Sequence, residues 1–177
     1  MTTVIGIQME DGCLLASDSR TTGETGRPYS HSQVQKITER GEFLIAGAGD
    51  PQACDIVQHI WEIPEFVEDE DAYKFMITKV APSVRICLKE NGYEKDKEDK
   101  DGGFVFLFAF RGTIYELDET FSISMTDSGI YGIGSGSKYA IGALQAGAEW
   151  TSALAIAENN DIYTQKPFVT FTQKKPA

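Results

Sequence analysis

Thr2-Thr3-Val4-Ile5-Gly6-Ile7-Gln8-Met9-Glu10-Asp11-Gly12-Cys13-Leu14-Leu15-Ala16-Ser17-Asp18 opens the chain. Two β-type runs, Thr3–Met9 and Cys13–Asp18, flank Glu10-Asp11-Gly12. Asp-Gly between two such runs is a strong hairpin signal, because both residues tolerate the turn's backbone. Thr2 stands directly ahead of this hairpin. A small residue after the initiator methionine permits removal of Met1, which leaves a threonine with a hydroxyl and a free α-amine. The hydroxyl can attack a carbonyl, and the amine, titrating at about 7.7–8.0, can take its proton near neutral pH. Nucleophile and base are then one residue. Met-Thr alone carries no such meaning, since many proteins begin with it.

Further along, Gly23 to His31 reads as a polar loop. Gln33–Thr38 and Glu42–Ala46 read as a second strand pair turning at Arg40-Gly41. Gly47-Ala48-Gly49-Asp50-Pro51 is expected to break the sheet and lead into a helix over Gln52–Trp61, with Asp50 as N-cap and Pro51 at the first position. Asp69–Asn91 carries an amphipathic stripe and predicts a helix. Glu94–Asp101 alternates in charge and reads as a solvated loop. Phe104–Phe110 is a buried-strand run that turns at Arg111-Gly112 into Thr113–Leu117, and Ile130–Gly132 is a short strand. Lys138–Glu149 and Thr151–Glu158 predict helices, and Phe168–Thr172 a closing strand. Tyr139, Ile141, Leu144 and Ala148 of the first of these helices are expected to face both a core and a neighbouring subunit. The order is strands, two helices, strands, two helices, strand. It predicts an α+β chain built as a four-layer αββα sandwich, two antiparallel sheets with helices on both outer faces. One domain over residues 1–177 is expected, with no repeat and no linker.

Composition excludes several function classes. A net charge of −11 speaks against nucleic acid and against an anionic membrane surface as partner. Hydrophobic and charged contents of 41% and 24% fit a soluble globular chain, and the apolar runs are too short to span a bilayer. No secretory signal is visible, and Cys13, Cys54 and Cys87 form no C-x-x-C pattern. A cytoplasmic protein with reduced thiols is the expectation. His31 and His59 are isolated and neither lies in a zinc-type pattern. No cofactor and no metal among the site residues is expected, and a structural cation held by carbonyls of the loop that ends at Thr164 stays open.

Five motifs occur in an order that resembles one family: Thr2-Thr3-Val4 with its hairpin to Ser17-Asp18-Ser19-Arg20, Val34-Gln35-Lys36-Ile37, Ala46-Gly47-Ala48-Gly49, Gly134-Ser135-Gly136-Ser137, and Asp161-Ile162-Tyr163-Thr164. Together they resemble the β-type subunits of the proteasome family, which are N-terminal nucleophile hydrolases, and within it the bacterial HslV-like peptidases. The resemblance implies a threonine peptidase with Thr2 as nucleophile. It implies Lys36 as the cation beside the nucleophile's oxygen and Asp18 as the lysine's partner. Ser135 would bond the terminal amine, and Gly49 would stabilise the oxyanion through its backbone N–H. Gly47 and Pro51 would line the first specificity pocket. The family's inactive α-type subunits carry a helix ahead of the first strand, for which this chain shows no room. It also implies peptide or unfolded-protein substrates, a homo-oligomeric ring and an ATP-dependent unfoldase. One departure stands out: β-type subunits place an aspartate and then a serine before the last strand. Here Asn159 and Asp161 both fit the aspartate, and no serine follows at the usual spacing. The Tyr163-Thr164 ending is similar to that of HslV. Two rival readings are a non-peptidase amidohydrolase of the same chemistry acting on a small amide, and a catalytically silent ring or scaffold subunit. The intact mass of the purified protein should show Met1 removed; a retained methionine would leave Thr2 without a free amine.

Overall fold

Alternation along the strands builds the layers. The computed structural model describes residues 2–22, 28–29, 34–93 and 103–176. β1 (Thr3–Gln8) and β2 (Gly12–Ser17) form the hairpin at Asp11. With β10 (Ile130–Gly134) and β11 (Val169–Lys174) they make an antiparallel sheet in the order β10-β1-β2-β11. A second sheet, order β5-β6-β7-β8-β9, holds Ile37–Arg40, Phe43–Gly49, Phe104–Phe110, Thr113–Asp118 and Ile123–Ser124. Within the expected polar loop, β3 (Thr21–Thr22) and β4 (Pro28–Tyr29) pair as a short ribbon.

Val4, Leu15, Ile37, Leu44, Ala46, Leu107 and Ile133 fill the space between the sheets. Ile5 and Ala16, one residue out of phase, turn outward and pack with Ala140, Leu154 and Ala157. These belong to α4 (Ser137–Gln145) and α5 (Trp150–Asn160). On the opposite outer face, Phe43, Phe106, Phe108 and Phe110 meet the helices that run from Pro51 to Ile60 and from Ala72 to Glu90. In chain order these are α1 (Pro51–Asp55), α2 (Ala72–Phe75) and α3 (Ala81–Glu90). α1 and α2 are each followed by one wider-wound stretch, Ile56–Ile60 and Met76–Val80. The expected αββα sandwich is therefore observed. Large aromatics occupy the helix side of β7 and small aliphatics the sheet side, which is why the strand reads as one unbroken apolar run.

Two differences from the sequence reading have clear causes. The stretch Gly47-Ala48-Gly49 does not break the sheet: it continues β6, opposite Phe106, Val105 and Phe104. A Cβ at Gly47 would press on Cys54 Sγ and the Phe106 ring, so the glycine marks close packing inside a strand. The second strand pair starts late, at Ile37, leaving Val34–Lys36 outside the sheet. α4 turns apolar residues toward the chain's own first sheet. Ala140 and Leu144 are buried, Tyr139 is half-buried against the same cluster, and Ile141 is half-buried beside Gly132 of β10. The exposed apolar side chains of the helical layers include Ile156 of α5 on this face and Tyr73, Ile77 and Ile86 on the other. Glu94–Asp101 lies outside the described residues. No helix among the described residues is long and apolar enough to cross a membrane.

Phe108 is fully buried, edge-on to Trp61 at 5.6 Å and to Phe43 at 6.1 Å. Phe108→Ala should lower unfolding free energy by about 3–5 kcal/mol in a urea titration.

Candidate active site

The end of the hairpin strands builds one half of the site. β2 ends at Ser17, and Asp18 follows with 1% of its surface exposed. Its backbone N–H still donates to the Thr3 carbonyl, at 3.1 Å, which keeps the side chain beside the first residues of β1. Asp18 Oδ1 accepts from the Thr3 N–H at 2.9 Å and from Lys36 Nζ at 2.5 Å. Oδ2 accepts from the N–H groups of Arg20 at 3.0 Å and Gln165 at 3.2 Å. Four donors satisfy a carboxylate that burial would otherwise penalise.

Lys36 sits just ahead of β5 with its ammonium largely enclosed. Burial pulls its pKa below the ordinary lysine value; the Asp18 charge and hydrogen bond oppose this, and the Asp161 charge does so as well. A lysine so placed gives up a proton more readily than an exposed one. Its main chain is anchored from the helical layer. Gln58 is buried and donates from Nε2 to the carbonyls of Lys36, at 2.9 Å, and Ile45, at 3.1 Å. One amide thus ties the lysine to β6.

The other half comes from the β10–α4 turn and the segment after α5. Gly134 lies against Thr2 so closely that a Cβ there would overlap the Thr2 carbonyl. Ser135 Oγ donates to Asp161 Oδ2 at 2.8 Å, and Thr164 Oγ1 donates to the same oxygen at 2.7 Å. Thr164 Oγ1 also lies 2.6 Å from Thr3 Oγ1, which accepts from the Gly136 N–H at 3.1 Å. A Cβ on Gly136 would crowd Thr3, Thr164 and Asp161 together, so only glycine lets the backbone approach this cluster. Gln165 links the two halves: its N–H reaches Asp18, and its carbonyl accepts from Ser19 at 3.1 Å. Arg20 Nη1 donates to the Ile162 carbonyl on the same segment.

The structure thus joins Lys36 to Asp18 and Ser135 to Asp161, on two sides of the Thr2–Thr3 peptide. Thr2 itself is half-buried. Gly49 ends β6 with φ +103°, against the Gly103 carbonyl, a conformation that favours glycine. Its neighbour Ala48 belongs to the same inter-sheet cluster as Val4. Asp50 caps α1 as expected, accepting from Gln52 and Ala53. Between Asn159 and Asp161, it is Asp161 that joins Ser135, and the hydroxyl three residues on belongs to Thr164. Sequence reasoning looked for a serine and passed over a threonine offering the same donor. It also missed Thr3 and Gln58. Among the described residues no group of histidine, cysteine, aspartate and glutamate is placed to hold a metal.

No protein-family model and no curated protein matches this sequence. Solved structures do share its fold. BPH from Thiobacillus denitrificans, in complex with epoxomicin, superposes with a TM-score of 0.78 at 21% identity, covering 99% of this chain and 100% of that one. Eukaryotic HslV from Trypanosoma brucei gives 0.65 at 16% identity over 97% and 99%. The helical assembly of Anbu from Pseudomonas aeruginosa gives 0.67 at 16% identity over 97% and 81%. The chain therefore has the proteasome-like, N-terminal nucleophile hydrolase fold seen in HslV and Anbu.

Gln58→Leu should leave two carbonyls without their donor, costing about 1–3 kcal/mol of stability. Thermal unfolding and peptide cleavage should both fall, and rates normalised to folded protein should still be below wild type if the amide holds Lys36 in place.

Proposed function

We propose that this chain is a threonine-type endopeptidase whose nucleophile is Thr2 after loss of Met1. The carrying observation is the arrangement around the Thr2–Thr3 peptide, with Asp18–Lys36 on one side and Ser135–Asp161 on the other. The fold shared with BPH, solved with epoxomicin, and with HslV supports it.

In this reading Thr2 Oγ attacks the carbonyl carbon of the scissile peptide, and its proton passes to the Thr2 α-amine. Lys36, held by Asp18, stabilises the developing charge on Thr2 Oγ. The carbonyl oxygen becomes an oxyanion and takes the Gly49 N–H. Collapse breaks the C–N bond, and the leaving amine takes the proton from the Thr2 ammonium. An ester to Thr2 remains. Water attacks it with the same α-amine as base, releasing the acid and restoring Thr2. Ser135 holds the amine in place throughout.

The same reading includes unfolded-protein substrates delivered by an ATP-dependent unfoldase, in the cytoplasm, and a homo-oligomeric ring enclosing the sites. The exposed Tyr73, Ile77 and Ile86 are apolar surface that a neighbouring subunit would cover.

Thr2→Ala should abolish cleavage of fluorogenic peptides and labelling by a threonine-directed epoxyketone, with the circular-dichroism spectrum unchanged. Near wild-type cleavage by the alanine variant would end the reading. A non-removable residue ahead of Thr2 should silence the enzyme in the same way. In the native protein activity should rise with pH as the Thr2 ammonium deprotonates, the Lys36 cation moving that limb below the free-amine range of about 7.7–8.0.

A further inference from the structure

The hydroxyl of Thr3, next to the proposed nucleophile, is fully buried and has a forced direction. Asp161 Oδ2 accepts from Thr164 Oγ1 at 2.7 Å and from Ser135 Oγ at 2.8 Å. A threonine hydroxyl has one proton. Thr164 spends its proton on Asp161, so in its 2.6 Å contact with Thr3 it must accept, and Thr3 must donate. The Thr3 oxygen in turn accepts from the Gly136 N–H at 3.1 Å. The polarity therefore runs from Gly136 through Thr3 and Thr164 into Asp161, and Ser135 feeds the same oxygen from the other side. Successive donors in one chain strengthen one another.

Thr3 also donates its backbone N–H to Asp18 Oδ1 at 2.9 Å, on the oxygen that holds Lys36. One residue thereby bonds directly to the lysine's carboxylate and, through one hydroxyl, to the serine's carboxylate. It is also the residue to which Thr2 is covalently attached. With the Ser135 proton turned toward Asp161, the Ser135 lone pairs are what remains to meet the α-amine. The amine then donates to Ser135, and its own lone pair is left for the Thr2 hydroxyl proton.

We infer that Thr3 is a positioning residue of this site: its hydroxyl and its N–H couple the Asp161–Ser135 and Asp18–Lys36 pairs across the Thr2–Thr3 peptide and set the orientation of nucleophile and amine. This rests on the peptidase reading of the site. Thr3 contacts no reacting atom, so its loss should slow turnover without weakening substrate binding.

The test is the series Thr3→Val and Thr3→Ser in protein that begins at Thr2, with kcat and KM measured separately on a fluorogenic peptide. Valine keeps the β-branched shape of the strand residue and removes only the hydroxyl; serine keeps the hydroxyl. Thr3→Val should lower kcat by about 10- to 100-fold, as small misplacements of reacting groups do, with KM unchanged. Thr3→Ser should restore most of kcat. Thr3→Val combined with Thr164→Val should be no slower than Thr164→Val alone, because both cut one chain. A Thr3→Val enzyme with wild-type kcat, or a serine variant as slow as the valine one, overturns the inference. If Thr3→Val does not fold, Thr164→Val and Thr164→Ser sever and keep the same link from its other end and are held to the same comparison. A wild-type protein that neither cleaves peptide nor takes up the epoxyketone defeats the peptidase reading itself. A reactive wild type with an unimpaired valine variant defeats only the role of Thr3.

Discussion

The buried carboxylate of Asp18 collects hydrogen bonds from four parts of the chain: Thr3 at the start of β1, Arg20 beyond β2, Lys36 ahead of β5 and Gln165 ahead of β11. None of these segments is held at that point by sheet pairing alone. Removing the carboxylate would strand three backbone N–H groups and an ammonium in a place where burial makes unpaired polar groups costly. The ends of both sheets are gathered around this one side chain, and everything proposed for Thr2 depends on that gathering.

Lys36 shows the balance such a cluster strikes. Burial works against its charge, while Asp18, and at longer range Asp161, work for it. The outcome is an ammonium held in place by charge and hydrogen bonds yet destabilised by its surroundings. That combination suits a group meant to influence a neighbouring oxygen. An exposed lysine would keep its charge and lose its position.

Close backbone approach is the second constraint. Gly134 lies against Thr2 and Gly136 against Thr3 and Thr164. At each of these positions a side chain would occupy space that the site's own atoms require. The glycine-rich stretches read in the sequence as turn signals are thus, in large part, places where the wall of the site is made of main chain.

The sequence by itself determined the layers. The unbroken apolar run of β7 and the Asp-Gly hairpin are local patterns tied to burial and to turn geometry, and they are legible without a partner in view. The motifs around Thr2, Asp18, Lys36, Gly49 and Ser135 were legible too, because each is a short run of marked chemistry. What only the tertiary structure decided were pairings across long separations. Nothing local distinguishes Asn159 from Asp161, since the choice depends on which side chain faces Ser135, 26 residues away. Thr164 was only the end of a short motif ahead of the last strand until its hydroxyl met Thr3 across 161 residues. Gln58 looked like a polar residue on a helix until its amide reached Lys36. Hydrogen bonds are short-ranged and directional, so which of many similar hydroxyls and amides makes them is settled only when the chain has folded.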